Sequence, residues 1–270
     1  MSPLVLPVAL LIGLSLGALG GGGSILTVPA LVYLLGQDAR QATTASLVIV
    51  GLTSLIALIP HARRGNVRVG QGLVFGILGV AGSFAGAAAS GLVPPAVLLT
   101  AFAALMLVVA VLMLHRTRRR ATDTGHAHAT GTAAPMLTWK PFTIAWPRVA
   151  KVVLTATAVG LLTGFFGVGG GFALVPALVL ALSFSMPVAV GTSLLVIAVN
   201  SGTALIARAA GGVHLDWTVI AVFTGVAIVG SLLGGRIAGR VSPQHLTRAF
   251  AVLLIAVALY TAARSIPGLF

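Results

Sequence analysis

The chain contains no cysteine, so it forms no disulfide and offers neither a thiolate metal ligand nor a thiol nucleophile. Acidic residues are almost as scarce, namely Asp38, Asp123 and Asp216. Asp38 and Asp216 stand at the ends of apolar segments and Asp123 lies in a polar stretch, so no carboxylate occupies a segment interior. Pumps and cation carriers place Asp or Glu there to hold protons or metal ions, which argues against such a mechanism. Paired-carboxylate hydrolysis and a Ser-His-Asp triad lack convincing parts, so neither catalysis nor a cofactor or metal is expected. Charged residues make up 7% of the chain, too few to clothe a soluble domain of this size. No Lys or Arg precedes Arg40, so the opening apolar run lacks the basic start of a signal peptide.

What is present is apolar. Hydrophobic residues make up 58% of 270, and mean hydropathy is +1.12. Apolar runs fall at 3–35, 41–60, 69–92, 96–114, 150–182, 187–207, 217–238 and 246–263, where about 20 residues suffice to cross a bilayer. The net charge of +13 comes without interleaved aromatics or a soluble domain. It therefore reads as a determinant of membrane orientation rather than as a nucleic-acid surface.

The chain repeats itself. Residues 17–32 read GALGGGGSILTVPALV and residues 164–179 read GFFGVGGGFALVPALV. The correspondence continues through Gly82-Ser83 with Gly230-Ser231, Pro95 with Pro243, and Ala101-Phe102-Ala103 with Ala249-Phe250-Ala251. The expected fold is an all-α polytopic membrane protein made of two repeats of four apolar segments. The first repeat covers residues 1–114, a basic cytoplasmic linker 115–149, and the second repeat 150–270. His126 and His128 in the linker have no partners that would make a metal site, and Trp139 and Trp146 suit an interfacial belt.

The first segment of each repeat is anomalous. As one helix, 3–35 would be about 50 Å long against a hydrocarbon core of about 30 Å, and glycines interrupt its middle. It is either a broken helix that crosses once, making the repeats parallel, or a re-entrant hairpin, making them inverted. Both arrangements put Arg63, Arg64, Arg68 and the linker bases on one side, which must be cytoplasmic. The parallel arrangement adds Arg208 and Arg264 to that side; the inverted one adds Arg236, Arg240 and Arg248. The larger basic set and the excess length favour inversion.

Two glycine breaks in matching positions of two halves mark a transporter's binding site. A half-helix beginning just after such a break offers unpaired N–H groups and about half a positive charge to an anion. The candidate substrate-binding residues are Gly20, Gly21, Gly22, Gly23 and Ser24, with Gly167, Gly169, Gly170, Gly171 and Phe172 in the second copy. Thr44 and Ser46 in the second segment, with Thr192, Ser193 and Asn200 in its counterpart, could add hydroxyl and amide donors, although Ser and Thr often bond back to their own helix. The rim arginines Arg63, Arg64 and Arg116 are expected only to concentrate anions, and His61 and His214 to be interfacial. Pairs such as Gly13/Gly17, Gly82/Gly86 and Gly230/Gly234 suit close helix packing.

The two glycine motifs resemble the paired hallmark segments of the TauE/SafE sulfite exporter family, and the resemblance spans both repeats and the linker. It implies a multi-pass protein of the bacterial inner membrane that moves sulfite, sulfoacetate or a related small anion. Gly21 and Ser24 stand where the second copy has Val168 and Gly171, and neither change spoils an N–H-lined pocket. The expected function is a secondary transporter working by alternating access. A passive anion channel and a non-transporting membrane assembly protein are the alternatives. Besides the anion and the lipid bilayer, the partners this reading admits are a coupling proton and further copies of the chain.

Overall fold

The computed structural model describes residues 5–90, 92–122, 137–139, 142–144, 146–166, 171–208 and 215–265. Ten helices lie among them: α1 (Val5–Leu19), α2 (Gly22–Leu35), α3 (Ala39–Arg63), α4 (Val69–Ser90), α5 (Pro95–Thr122), α6 (Trp146–Phe166), α7 (Gly171–Leu180), α8 (Met186–Arg208), α9 (Trp217–Ala238) and α10 (Pro243–Ser265). The all-α expectation needs one addition. Two three-residue strands, β1 (Leu137–Trp139) and β2 (Phe142–Ile144), pair antiparallel between α5 and α6. The basic stretch after residue 115 continues α5 to Thr122. Stretches of α3, α4, α8, α9 and α10 are long and apolar enough to cross a membrane.

The opening apolar segment is two helices, not one. Gly20 takes φ +71°, a left-handed conformation that side chains disfavour, and α1 stops there. Val5 and Ala9 at the start of α1 share an apolar cluster with Ala30 and Leu31 near the end of α2. Ala42 and Ala45 of α3 and Ile220 and Phe223 of α9 complete that cluster. The chain therefore doubles back at Gly20–Gly21. Gly36, at φ +64°, ends α2 by donating its N–H toward Leu31 and Val32 carbonyls, and turns the chain into α3. In the corresponding later segment, α6 and α7 are separated by 167–170, outside the described residues.

Small residues permit the closest helix pairings. α1 lies along α9, and α4 along α6. A Cβ on Gly13 or Gly17 would overlap the backbone of Ala227 or Ser231. A Cβ on Gly160 or Gly164 would likewise overlap the backbone of Gly79 or Ser83. Ser83 also donates to the Gly160 carbonyl at 3.1 Å. In lipid, where apolar side chains gain little by leaving the solvent, such backbone approach is a main source of helix association. Outward-facing Ile77, Phe84, Leu154 and Val252 are exposed, as lipid contact requires.

These contacts separate two kinds of glycine. Gly17→Ala or Gly164→Ala should lower thermal stability in detergent by about 1–3 kcal/mol, the usual cost of overpacking. Nothing stands within 4 Å of a Cβ on Gly202 or Gly225. Alanine there should be neutral or stabilising by up to about 1 kcal/mol, through helix propensity. Melting curves of the four variants that failed to split into these two classes would contradict the packing.

Candidate functional site

The bend of the first hairpin lies deep in the protein. Gly20, Gly21, Gly22, Gly23 and Ser24 are all buried. Gly21 caps α2 without any side-chain hydrogen bond. The first N–H groups of a helix have no partner within it, so this N-terminus depends on whatever else reaches it. Ser24 Oγ does not cap them; it donates to the Gly21 carbonyl at 2.7 Å. Thr27 Oγ1 donates to the Gly23 carbonyl at 3.1 Å.

The start of α7 abuts the start of α2. A Cβ on Gly21 would overlap the Gly171 carbonyl, and one on Gly171 would overlap Ser24 Oγ. A Cβ on Gly20 would lie 2.5 Å from Ser193 Oγ and 3.1 Å from Val175 Cγ2. Ser193 is fully buried and donates to the Val190 carbonyl at 2.8 Å. Gly20, Gly21, Ser24, Gly171 and Ser193 therefore meet at one place. Phe172 is buried and edge-on to Phe102 of α5, with ring centroids 4.9 Å apart. Only its backbone is polar there. Phe250 of α10, the repeat counterpart of Phe102, underlies Gly22.

The other candidates are more dispersed. Thr44 and Ser46 are buried on α3, and Ser46 Oγ donates to the Thr43 carbonyl at 2.8 Å. Thr192 Oγ1 accepts from the Arg68 N–H at 3.1 Å. Asn200 stands about 10 Å along α8 from Ser193, facing Gly76 and Gly79 of α4, and its Oδ1 is buried without a partner. Gly167, Gly169 and Gly170 lie outside the described residues, as do Asp123, His126, His128 and His214.

Arg64, just after α3, and Arg116 of α5 do more than concentrate anions, which corrects the sequence expectation. Arg64 donates to the Gly235 carbonyl in the last turn of α9 at 2.8 Å. Arg116 donates to the Val179 carbonyl, to Leu180 O at 3.1 Å and to Ser183 Oγ at 3.1 Å, closing the end of α7. His61 is not an interfacial, solvated residue either. It is 2% exposed, and its Nε2 lies 3.0 Å from the Gly17 carbonyl in the last turn of α1. Three helix C-termini thus receive a basic or imidazole donor, as their unpaired carbonyls and negative dipole ends favour.

Two cavities accompany this arrangement. One of about 150 Å³ is bounded by Met106, Val109, Val159, Phe172, Pro176 and Leu254, between α5, α6, α7 and α10, and its apolar lining suits hydrocarbon rather than an anion. The other, of about 470 Å³, is lined by Gln37, Gln41 and Asp216 among others. Asp216 is engaged there, accepting from the N–H groups of Thr218 and Val219 at the start of α9. Among the described residues no group of three or more His, Asp or Glu could hold a metal ion.

The sequence model of the family described as "Sulfite exporter TauE/SafE" matches residues 5–261. A "Probable membrane transporter protein" of Xylella fastidiosa (strain 9a5c) is 36% identical over 258 residues, covering 94% of this chain and 92% of that relative. The "Probable membrane transporter protein YunE" of Bacillus subtilis (strain 168) is 28% identical over 262 residues, covering 94% and 93%. "Probable membrane transporter protein MJ0441" of Methanocaldococcus jannaschii is 26% identical over 261 residues, covering 90% of each chain. No solved structure matches.

The tip contacts rank three substitutions. Gly22→Ala meets the Leu253 Cδ2 at 2.7 Å, the movable end of a flexible side chain, and should leave the melting temperature near that of the parent. Gly21→Ala meets backbone and should lower it clearly. Arg116→Met, which uncaps α7, should lower it at low and high salt alike, because hydrogen bonds are not screened as exposed charges are. A loss for Arg116→Met that vanished in high salt would point back to a purely electrostatic rim.

Proposed function

Because the chain belongs to the sulfite exporter TauE/SafE family, we propose that it is a secondary carrier for a small anion of the sulfite or sulfoacetate kind. It sits in the bacterial inner membrane and works by alternating access. The observation that carries this reading is the meeting of Gly21 and Gly171, where half-helices from the two halves of the chain abut with the α2 N-terminus lacking a side-chain cap. Carriers of this design bind anions where discontinuous helices present their N-termini at the boundary between repeats.

In this reading the anion is held by the N–H groups of Gly22, Gly23, Ser24, Gly171 and Phe172. Hydroxyls of Ser24, Ser193, Thr44, Ser46 and Thr192 rotate toward it, and Asn200 lies further along its path. Gly20, Gly21, Gly167, Gly169 and Gly170 let the backbone turn and approach. Each helix-end or hydroxyl contact contributes about 0.3–1 kcal/mol, up to about 2 where partly buried. A handful gives roughly 4 kcal/mol, near millimolar affinity. Such binding suits a carrier that must release its load.

The two repeats are inverted. The doubled-back first segment supports this, as does the placing of the α7 end beside Arg116 near the end of α5. The pairing of α1 with α9 is also the repeat counterpart of that of α6 with α4. On this arrangement Arg63, Arg64, Arg68, Arg236, Arg240 and Arg248 face the cytoplasm. Movement of one half against the other opens the tips to either side.

Reporter fusions at residue 212 and after residue 265 should both be periplasmic; cytoplasmic signals from both would establish parallel repeats instead. In proteoliposomes, sulfite or sulfoacetate uptake should saturate near millimolar concentration. Gly22→Val should abolish it at unchanged expression, because a branched side chain fills the space beside the half-helix start. Wild-type flux in Gly22→Val would remove the tip from the binding site, and a steady single-channel conductance would make the protein a channel.

A further inference from the structure

The apolar cavity beside α7 lies away from the proposed anion contacts and has a chemistry of its own. It follows one face of α7 from Phe172 to Ala181, about 14 Å along the chain. Ala173, Ala177 and Ala181 line it at four-residue spacing, so small side chains make its floor. Met106 and Val109 of α5 and Val159 and Leu162 of α6 make its walls. The three alanines are only half-buried, and α5 and α6 touch each other little. The space is thus a crevice in the outer wall, flanked by exposed Val108 and Leu112 of α5 and Leu154 and Leu161 of α6.

The first half of the chain shows what makes this room. Ala173 and Ala181 stand at the repeat positions of Leu26 and Leu34, whose larger side chains would fill an equivalent crevice. Water finds no polar partner in the apolar lining, and an anion would lose its hydration there without recompense. Hydrocarbon fits. The charge at the linker-side end narrows the choice. α5 carries Arg118, Arg119 and Arg120 about 15 Å beyond Val109, and α6 carries exposed Lys151 about 12 Å before Val159. Both walls therefore become basic on the side where the linker leaves and returns. A second copy of this chain, with its net charge of +13, would bring like charge to that end. A bilayer lipid with an anionic head group complements the crevice at both ends.

We propose that the crevice between α5 and α6 is a binding site for an anionic glycerophospholipid. One acyl chain lies along the Ala173–Ala177–Ala181 face of α7 and reaches Phe172. The phosphate head group sits at the end that carries Arg118, Arg119, Arg120 and Lys151. The lipid covers the side of α7 that protein leaves open. Where the carrier reading holds, α7 presents half of the anion site, so the lipid also governs how readily that half-helix moves. The lipid site itself does not depend on that reading.

The test is native mass spectrometry of the purified, delipidated full-length protein, titrated with phosphatidylglycerol and with phosphatidylcholine of the same acyl chains. Phosphatidylglycerol should bind at least about fivefold more tightly, the worth of one basic residue near a membrane surface. The double variant Ala173→Leu/Ala181→Leu puts the first-half residues into the crevice. It should bind either lipid about tenfold more weakly while melting no lower than the parent. Replacing Arg118, Arg119, Arg120 and Lys151 with glutamine should abolish the preference for phosphatidylglycerol and leave phosphatidylcholine binding unchanged. Equal binding of the two lipids by the parent would overturn the proposal. Parental affinity in the double variant would do so too, because the lipid would then sit elsewhere on the surface. If the double variant does not fold, the glutamine variant decides, and an undiminished preference in it overturns the site. Sulfite flux in proteoliposomes is a separate measurement: a parent that binds phosphatidylglycerol as stated but carries no anion removes the carrier reading and supports the lipid site alone.

Discussion

A helix that ends inside a bilayer leaves N–H and C=O groups where no water can reach them, and each unsatisfied group costs several kcal/mol. The tolerable solutions are to bury the broken end in protein or to let it line a ligand path. This constraint organises the molecule. The α1–α2 bend is surrounded by α7, α8 and α10, and the α2 N-terminus meets that of α7. The carbonyl ends of α1, α9 and α7 are met by His61, Arg64 and Arg116. At the tip the donor end of α2 is left without a side-chain cap, while the acceptor ends of α1, α9 and α7 receive dedicated side chains. That asymmetry leaves spare donors where an anion is proposed to sit.

Close packing gives the breaks a rigid frame. Gly13 and Gly17 lie on the α9 backbone, and Gly160 and Gly164 on that of α4. Backbones this close have little freedom to slide, because any shift puts a carbonyl against a Cα. The second half-helix of each segment, α2 or α7, packs less extensively against the full-length helices around it. α7, with ten residues, is held at one end by Arg116 and near its start by the Phe172–Phe102 edge contact. Stiff pairs around short half-helices suit the alternating opening proposed for this site.

Much of this was legible before any coordinates. The duplicated glycine motif, the apolar run lengths and the scarcity of carboxylates depend on composition and spacing alone. They pointed to the membrane class, the doubled segments and the location of the break. Gly82/Gly86 and Gly230/Gly234 were legible as packing faces because small residues at helical spacing have few other uses in lipid. The break at Gly20–Gly21 was legible because no 33-residue apolar run fits one crossing.

Tertiary structure decided which side chains meet. His61 looks interfacial in a linear reading, since it sits at a segment end beside basic residues. It is buried because α1, 44 residues earlier, brings the Gly17 carbonyl to it, and nothing local to His61 encodes that approach. Arg64 and Arg116 likewise reach carbonyls 171 and 63 residues away, which turns apparent surface charge into helix caps. Ser193 joined Gly20, whereas Asn200, an equal candidate in sequence, faces α4. Local pattern determined the elements and their breaks, because hydrophobic periodicity and glycine act over a few residues. The partners of each polar group were decided by the folded arrangement, because hydrogen bonds in lipid form with whichever helix the packing brings near.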